Sequence, residues 1–571
     1  MNVNRQVYRP AYDHFNSFLS RLAFPWACLP NDDRSPTAFT QPAVWLDQET
    51  LPPNPPVHLT GFSSMPPRHP KPSSPKATGK CRTLSYTPVS DACSQPFTFV
   101  DTELSAGIQR HSLVGLLVTA ISRQRRSDGE PLGNVLCALL VWPLLKVKSL
   151  HCFCAELCQF LAGGVSVLYD FQGREDINWR GLDSELSRRI YQANEMGSRS
   201  DSAFVVDDSS QARAGRKVEG TSCYFDHTEG RHRKGHQMLQ LGLASPKGFL
   251  PIEAQLIMGE KCAIDKPKDK PFKDQRSSAA RDMRRAREET KHELFREMLS
   301  RALRAGFKAQ YALGDAWFGC KENVACCLDN ELTAIFQMKR GNLAYQHHGH
   351  SYTASQLYAK VQRQMRPKNR QARYKTVSLV VSLNVETDDR QPARWVEVRL
   401  VFSAPVRANH AKTWVVFLCT DLTLSDAKIL EVYALRWSIE VYFKEIKQNL
   451  GFLKEQSGRY QVAYASVHLA ALRYLLLFEA MLRSGHLTYG EVRDRESGRL
   501  QVLTYAVLLW QLFSALIEGA LDGLVKILGR KVVKKVLTAI NQTVEEFLND
   551  ALHMSPNQVS VQMKAEELGY V

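Results

Sequence analysis

The sequence has no apolar run long enough to cross a bilayer without interruption. Its longest apolar runs, residues 467–482 and 502–517, are short for a membrane span and contain polar side chains such as Arg473 and Gln511. We therefore expect both runs to be core helices and expect no membrane among the partners. Hydrophobic residues make up 44% and charged residues 23% of the chain, which is typical of a protein that folds in water.

A signal-peptide pattern is also absent from residues 1–30, and the 13 cysteines do not suggest a disulfide framework. Reduced thiols in a cytoplasm fit this cysteine usage better. We therefore expect no disulfides and a cytoplasmic location.

Acidic residues are the minority among the charged ones: 58 Asp and Glu stand against 74 Lys and Arg, a net charge of +16. The basic excess is spread over most of the chain, a pattern typical of proteins with polyphosphate partners. Nucleic acid is therefore the leading partner, although many basic proteins bind none.

Proline is scarce after residue 90, because more than half of the 26 prolines lie before it. We expect residues 1–95 to be a disordered, proline-rich leader. The apolar spacing then divides the chain into five regions. We expect residues 96–195 to be a helical domain with a candidate role in DNA binding, and residues 196–342 to be the first part of an α/β core. Residues 343–422 are expected to be a β-rich insertion, residues 423–485 the second part of the core, and residues 486–571 a C-terminal helical region.

The most informative segment is "VYALRWSIEVYFKEIKQNLG", which contains Tyr433, Arg436, Glu440 and Lys447. On one helix these four side chains fall within an arc of about 60°. The carboxylate can bind a hard cation, while the guanidinium and the ammonium can neutralise phosphate oxygens. Any one of these residues is ordinary on an amphipathic helix, so the fixed spacing of all four carries the argument. A second, apolar stripe is expected to face the core: Leu435, Ile439, Tyr442 and Ile446.

The spacing Tyr433-x2-Arg436-x3-Glu440-x6-Lys447 resembles the YREK signature of DDE transposases of the fourth insertion-sequence family of bacteria. The resemblance implies an RNase H-like mixed-sheet core in which Glu440 is the last metal-binding carboxylate and the other three residues bind DNA. It also implies Mg²⁺ as cofactor, with Mn²⁺ as a substitute, and a homodimer acting on terminal inverted repeats and target DNA. Residues 486–571 are the candidate dimerisation region, and the location is expected to be cytoplasmic, on the nucleoid.

Two aspartates at strand ends complete the expected site. The β run "AFVVD" ends in Asp207-Asp208, and "AQYALGD" ends in Asp315. Asp208 is the preferred first carboxylate, because the family pattern has an aspartate followed directly by hydroxyl residues. Alternation along a strand points Asp207 to the opposite face, so only one of the pair can enter the site, and the choice between them stays open. The expected catalytic metal ligands are Asp208, Asp315 and Glu440.

Two further features suit DNA, each with a simpler structural explanation. A hairpin turn carries Arg231, Arg233 and Lys234, which can hold phosphate or be a solvated tip. In related enzymes a tryptophan of the insertion stacks on a flipped base, and Trp395 and Trp414 are the candidates, although core packing is the expected role of each.

The sequence thus predicts a DDE transposase that cuts transposon-end DNA and joins it to target DNA. One alternative is a catalytically inert DNA-binding protein derived from a transposase. Another is a metal-dependent nuclease that only hydrolyses DNA, which would not need the arginine, tyrosine and lysine in this spacing. A helical scaffold would leave the strand-end aspartates unexplained.

Overall fold

The structure is a computed structural model that describes residues 103–122, 131–157, 166–196, 199–215, 217–226, 229–259, 272–367, 372–386, 390, 392–407 and 413–552. All of these residues belong to one structural unit. The predicted leader, residues 1–95, lies outside the described residues.

Sixteen α-helices occur in the described residues. The helices before and within the core are α1 Glu103–Arg110, α2 Leu113–Ala120, α3 Leu132–Val141, α4 Leu150–Leu157, α5 Ser166–Gln172, α6 Trp179–Ala193, α7 Ser278–Glu288, α8 Lys291–Arg304, α9 Lys321–Asp329 and α10 Ala354–Val361. The later ones are α11 Asp426–Ala434, α12 Trp437–Gln448, α13 Tyr460–Ser484, α14 Tyr489–Asp522, α15 Val525–Leu528 and α16 Arg530–Leu552.

Twelve strands of the described chain form one sheet. They are β1 Ala203–Ala212, β2 Ser222–Asp226, β3 Arg231–Ser245, β4 Gly248–Ile257, β5 Tyr311–Gly314, β6 Thr333–Met338, β7 Ala344–His347, β8 His350–Thr353, β9 Arg366–Pro367, β10 Tyr374–Asn384, β11 Trp395–Pro405 and β12 Val415–Cys419.

The core of the sheet is mixed, as the sequence predicts. β3 pairs antiparallel with β1 on one side and with β4 on the other. β5 runs parallel to β1, and β6 runs parallel to β5, which gives the order β4-β3-β1-β5-β6. α8 packs against β3 and β4, and α12 packs against β1, β3 and β4. The predicted α/β fold with an RNase H-like core is confirmed.

The β-rich region between residues 343 and 422 continues this sheet. β12 pairs antiparallel with β6, β11 with β12, and β10 with β11 over eleven residue pairs. The strands expected to form an insertion therefore extend the core sheet beyond β6 and are not stacked on it as a second sheet.

α13 is the central helix of the helical part. It passes the length and hydropathy criteria for a membrane span, yet 89% of its apolar window is buried inside the protein. Arg473, in the middle of α13, is fully buried and donates to the backbone carbonyl oxygens of Leu139, Leu140 and Leu450. These bonds tie the end of α3 and the chain after α12 to the same helix. α13 is therefore a core helix, as predicted for residues 467–482.

Candidate active site

The two acidic segments, Asp207-Asp208 within β1 and Asp315 directly after β5, meet because β1 and β5 are parallel neighbours. Val206 is opposite Gly314 in their register, so Asp207 and Asp315 follow at the same level. A Cβ on Gly314 would lie 2.9 Å from the Cβ of Phe318 and 3.1 Å from the ring of Phe336. Glycine at this position lets the chain turn tightly after β5, which holds Asp315 at the sheet edge.

α12 brings the third carboxylate to this edge through Arg436. This arginine is 5% exposed, its Nη1 lies 2.6 Å from Oδ2 of Asp207, and its Nη2 lies 2.5 Å from Oε1 of Glu440. A guanidinium can donate to two carboxylates at once because its N–H groups lie in one rigid plane. Arg436 therefore joins strand β1 to helix α12 at the site.

The two adjacent aspartates of β1 have different partners. Asp207 contacts Arg436, whereas Oδ2 of Asp208 lies 3.1 Å from Nζ of Lys291, the first residue of α8. Successive side chains of a strand point to opposite faces, so the two carboxylates have different ion-pair partners, yet Asp208 still acts electrostatically on both Asp207 and Asp315. Asp207 is the one in contact with the Arg436–Glu440 pair.

Negative charge concentrates around Asp207. Burial raises its pKa to about 8; Arg436 opposes that shift, while Asp315, Asp208 and Glu440 add to it. Burial also raises the pKa of Asp315, again against Arg436. Buried carboxylates that repel one another favour the neutral form unless a cation balances them. Asp207, Asp315 and Glu440, called the acidic edge below, therefore form a cluster that attracts cations. Arg436 contacts this cluster through Asp207 and Glu440.

The segment that carries Tyr433, Arg436, Glu440 and Lys447 is divided between α11 and α12, and the chain turns more tightly where the two helices meet. The amide N of Arg436 donates to the carbonyl of Tyr433 at 3.0 Å, and that of Ile439 donates to the carbonyl of Arg436 at 3.2 Å, which are bonds of 3₁₀ spacing. Tyr433 is 2% exposed, its hydroxyl donates to Gln337 at 3.5 Å, and its ring lies 4.6 Å from that of Phe417. It is therefore packed in the core, not presented on the edge with Glu440.

The apolar stripe of α12 is buried as predicted: Ile439, Tyr442 and Ile446 are fully buried. Lys447, at the far end of the helix, is half-buried. Burial lowers its pKa, while Asp226 and Asp208 oppose that shift. Lys447 thus lies on the same side of the molecule as the acidic edge.

The basic hairpin turn between β2 and β3 has acidic partners of its own. Arg231 Nη2 lies 2.6 Å from Glu229 Oε2, Arg233 also contacts Glu229, and Lys234 donates to the carbonyl of Gly215 at 2.9 Å. The predicted phosphate contacts would have to replace these local bonds.

The two predicted stacking tryptophans differ. Trp414 is 4% exposed, lies 4.2 Å from Tyr358 in a stacked arrangement, and has the guanidinium of Arg340 4.5 Å from its ring centre. It is a core residue, in line with the structural role expected for it. Trp395 is 51% exposed at the start of β11.

Trp317 is a residue that the sequence reasoning missed. It is 48% exposed, and its amide N donates to Oδ1 of Asp315 at 2.9 Å. The ammonium groups of Lys339 and Lys291 lie 4.1 Å and 5.2 Å from its ring centre, and Lys291 also pairs with Asp208. The signal in the sequence is the segment "GDAWFG", in which a large aromatic follows a strand-end aspartate by two positions.

The donor chemistry of the edge fits a hard divalent cation, because carboxylate oxygens are the ligands such ions take. The present spacing is less favourable: in the described part of the chain no three His, Cys, Asp or Glu side chains converge closely enough to hold a metal ion. Arg436 contacts both Asp207 and Glu440, so it occupies the position of their counter-ion.

Comparison with known proteins gives one match. A family model described as "DDE superfamily endonuclease" matches residues 135–405. The match includes both aspartate segments and ends before α12. No curated protein matches the chain. The match supports a transposase-like nuclease function with DNA as the substrate.

Replacing Arg436 by Gln is expected to destabilise the protein by about 3 kcal/mol or more, because it leaves two partly buried carboxylates without their counter-ion. Mg²⁺ should then restore more stability to the variant than it adds to the wild type. Urea unfolding with and without Mg²⁺ measures both effects.

Arg301→Gln is the matched control, because Arg301 also bridges two carboxylates, Glu253 and Glu297, away from the edge. It should lose stability without gaining a response to Mg²⁺. An equal Mg²⁺ effect in the two variants would show that the edge does not attract the ion.

Proposed function

We propose that the protein is a cut-and-paste DDE transposase of an insertion sequence, related to the fourth family by its YREK-like segment. The observation that carries this proposal is the proximity of Asp207, Asp315 and Glu440 where the parallel pairing of β1 with β5 ends and α12 begins. Acidic groups from three distant chain segments share one electrostatic environment there. The endonuclease family match over residues 135–405 supports the same chemistry.

We propose Asp207, Asp315 and Glu440 as the metal ligands, and Asp208, the residue preferred from the sequence, is the alternative first ligand. Asp207 has the contact to the Arg436–Glu440 pair, whereas Asp208 pairs with Lys291. Mg²⁺ is the proposed cofactor and Mn²⁺ its substitute. When bound, divalent ions supply activation of the attacking oxygen and neutralisation of the leaving oxygen.

The reaction proceeds in two displacements at phosphorus. In the first, the oxygen of water forms a bond to the scissile phosphorus while the bond to the 3′-oxygen breaks, and that oxygen takes up a proton. In the second, the freed 3′-hydroxyl forms a bond to the phosphorus of a target phosphodiester and loses its proton, while the bond to the target 3′-oxygen breaks and that oxygen takes up a proton. The number of phosphodiester bonds is unchanged by the second step.

The basic groups beside the edge have a role in both steps. With divalent ions bound to Asp207 and Glu440, Arg436 would be free to donate to a phosphate oxygen instead, because its guanidinium suits either acceptor. Lys291 and Lys447 flank the carboxylates and add positive charge along the path of the strand. Tyr433 serves this arrangement from the core, by fixing the start of α12.

The biological setting follows from the proposed family. The DNA partners are transposon terminal inverted repeats and target DNA, and the protein acts as a homodimer in the cytoplasm, on the nucleoid. The C-terminal helices are the proposed dimer contact. Large exposed apolar side chains on them support this role: Leu516, Leu524, Ile527, Leu528 and Val532.

A catalytically inert DNA-binding protein derived from a transposase remains the second candidate. The observation in its favour is that Arg436 bridges two of the three carboxylates and that no metal-binding group is formed within the described residues. Loss of metal binding would leave the basic surface and its affinity for DNA intact.

Cleavage of labelled duplexes taken from the DNA that flanks the coding sequence tests the proposal. Asp207→Asn and Glu440→Gln should each reduce Mg²⁺-dependent nicking by about 100-fold or more, since a metal site supplies several kcal/mol of transition-state stabilisation. Asp208→Asn should stay within about tenfold of the wild type, because its carboxylate lies outside the Arg436–Glu440 pair.

DNA binding, measured by gel shift with Ca²⁺, is the control and should persist in all three variants. If the wild type binds these duplexes but does not cut them, the protein is the inert DNA-binding one. If Asp208→Asn loses cleavage and Asp207→Asn keeps it, the first ligand is Asp208.

Trp317→Ala is expected to weaken binding of a single-stranded oligonucleotide by about tenfold, since stacking of a base on an aromatic ring contributes roughly 1–3 kcal/mol. Trp317→Phe should keep most of the affinity. Trp395→Ala is the matched control, because Trp395 is similarly exposed but lies at the start of β11. A larger loss in Trp395→Ala than in Trp317→Ala would favour the insertion tryptophan. Fluorescence anisotropy measures all three.

A further inference from the structure

A cavity of about 270 Å³ lies where the chain after α3 meets the chain after α12 and the first turns of α14. Its walls include Lys146, Lys148, Lys454 and Arg493. Nothing in the proposed chemistry of the acidic edge uses these residues. The cavity is large enough for a phosphate group with its attached sugar oxygens.

The charge of the cavity is positive after internal pairing. Arg493 is balanced by Glu445 and Asp494. Lys146, Lys148 and Lys454 have no ion pair anywhere in the part of the chain that the structure describes, and Lys454 donates to the carbonyl of Gln448 at 3.1 Å. Three lysines without an ion pair in the described residues therefore line one concave surface, whose wall also includes Asp494.

The inner wall of the cavity contains Trp142, against which Arg473 packs. Trp142 is fully buried, lines the cavity, and its indole N–H has no acceptor among the described residues. The guanidinium of Arg473 lies 5.7 Å from the Trp142 ring centre and is bonded to backbone carbonyls alone.

The shape of the cavity is fixed by close backbone contacts. Gly451 has a φ of +72°, and a Cβ there would lie 2.9 Å from Pro143 and 3.0 Å from the Trp142 ring. Lys146 has a φ of +59°, a left-handed conformation that is uncommon for a residue with a side chain. These contacts hold the two loops that carry the lysines against each other.

The position of the cavity relates it to the acidic edge. Gln448 and Asn449 line it, and they follow Glu440 by eight and nine residues along α12. At a rise of about 1.5 Å per residue the cavity begins about 12 Å from Glu440, with Lys447 just before it. One strand of duplex DNA carries a phosphate for roughly every 3.4 Å of helix axis, so about 12 Å corresponds to three or four phosphates.

We propose that this cavity binds a phosphate of the DNA strand that passes the acidic edge, about three or four nucleotides from the reacting phosphate. This inference rests on the proposed DNA substrate and adds a contact beyond the carboxylates and the YREK-like segment. The lysines supply sequence-independent attraction, and the enclosed wall fixes the register of the strand.

The salt dependence of DNA binding tests the proposal. Removing one ammonium group that neutralises a phosphate should reduce the slope of log affinity against log salt by about 0.9. Lys148→Ala and Lys454→Ala should each show this change, and the double variant about twice that. Binding of a duplex by the full chain is measured by fluorescence anisotropy between roughly 50 and 200 mM salt.

Lys308→Ala is the matched control. Lys308 is an exposed lysine that precedes β5, at the sheet edge opposite Asp315. Its removal should leave the slope unchanged. Thermal unfolding of every variant excludes loss of the fold as the cause.

Three further outcomes bear on the proposal, and the first concerns the source of the phosphate. If inorganic phosphate protects Lys148 and Lys454 from acetylation better than duplex DNA does, the cavity is a site for a small anion and the proposal is wrong. If Lys148→Ala and Lys454→Ala keep the steep salt slope of the wild type, as Lys308→Ala is expected to, the cavity proposal fails while the proposed DNA substrate stands. A wild type that binds no DNA would remove the proposed function as well.

Discussion

The bond from Arg436 to Asp207 and Glu440 is the interaction on which the site depends. Carboxylates from strand β1 and helix α12 are brought to one partly buried edge, where burial raises the pKa of Asp207 to about 8 and the neighbouring carboxylates add to that shift. A guanidinium with less than a tenth of its surface exposed can hold them there without a bound ion. The protein therefore folds with an internal counter-ion, and in the proposed mechanism metal ions would replace Arg436 at these carboxylates and leave it for DNA. This exchange would couple the arrival of the metal ions to the availability of a phosphate-binding group.

The rest of the fold positions this bond. Parallel pairing of β1 and β5 brings Asp207 level with Asp315, and the apolar stripe of α12 fixes that helix against β1, β3 and β4. α13 anchors both the chain after α12 and the end of α3 through Arg473, so the lysine-lined cavity is rigidly related to the same helix. The acidic edge, Lys447 and the cavity thus follow one another along a single element.

Much of the site could be predicted from the sequence because its signals are local. Each signal lies within a short stretch of neighbouring residues. Examples are the β runs "AFVVD" and "AQYALGD", the spacing of Arg436 and Glu440, and the apolar stripe at Ile439 and Ile446. What required the structure is set by contacts between distant segments. Pattern alone could not decide between Asp207 and Asp208, because the choice depends on which face of β1 meets α12. It could not find that Tyr433 is buried against Phe417, or that Lys291 and Lys339 flank Trp317, since these partners come from other elements.

The central claim is that Asp207, Asp315 and Glu440 share one divalent-cation site. Fe²⁺ can replace Mg²⁺ in such a site and, with ascorbate and peroxide, cuts the polypeptide near the bound ion, so the cut positions map the site on the full chain. The account predicts cuts near residues 207, 315 and 440 that excess Mg²⁺ suppresses and that Glu440→Gln abolishes. Cuts at other segments, or cuts at these three that neither Mg²⁺ nor the Glu440→Gln change affects, would contradict it.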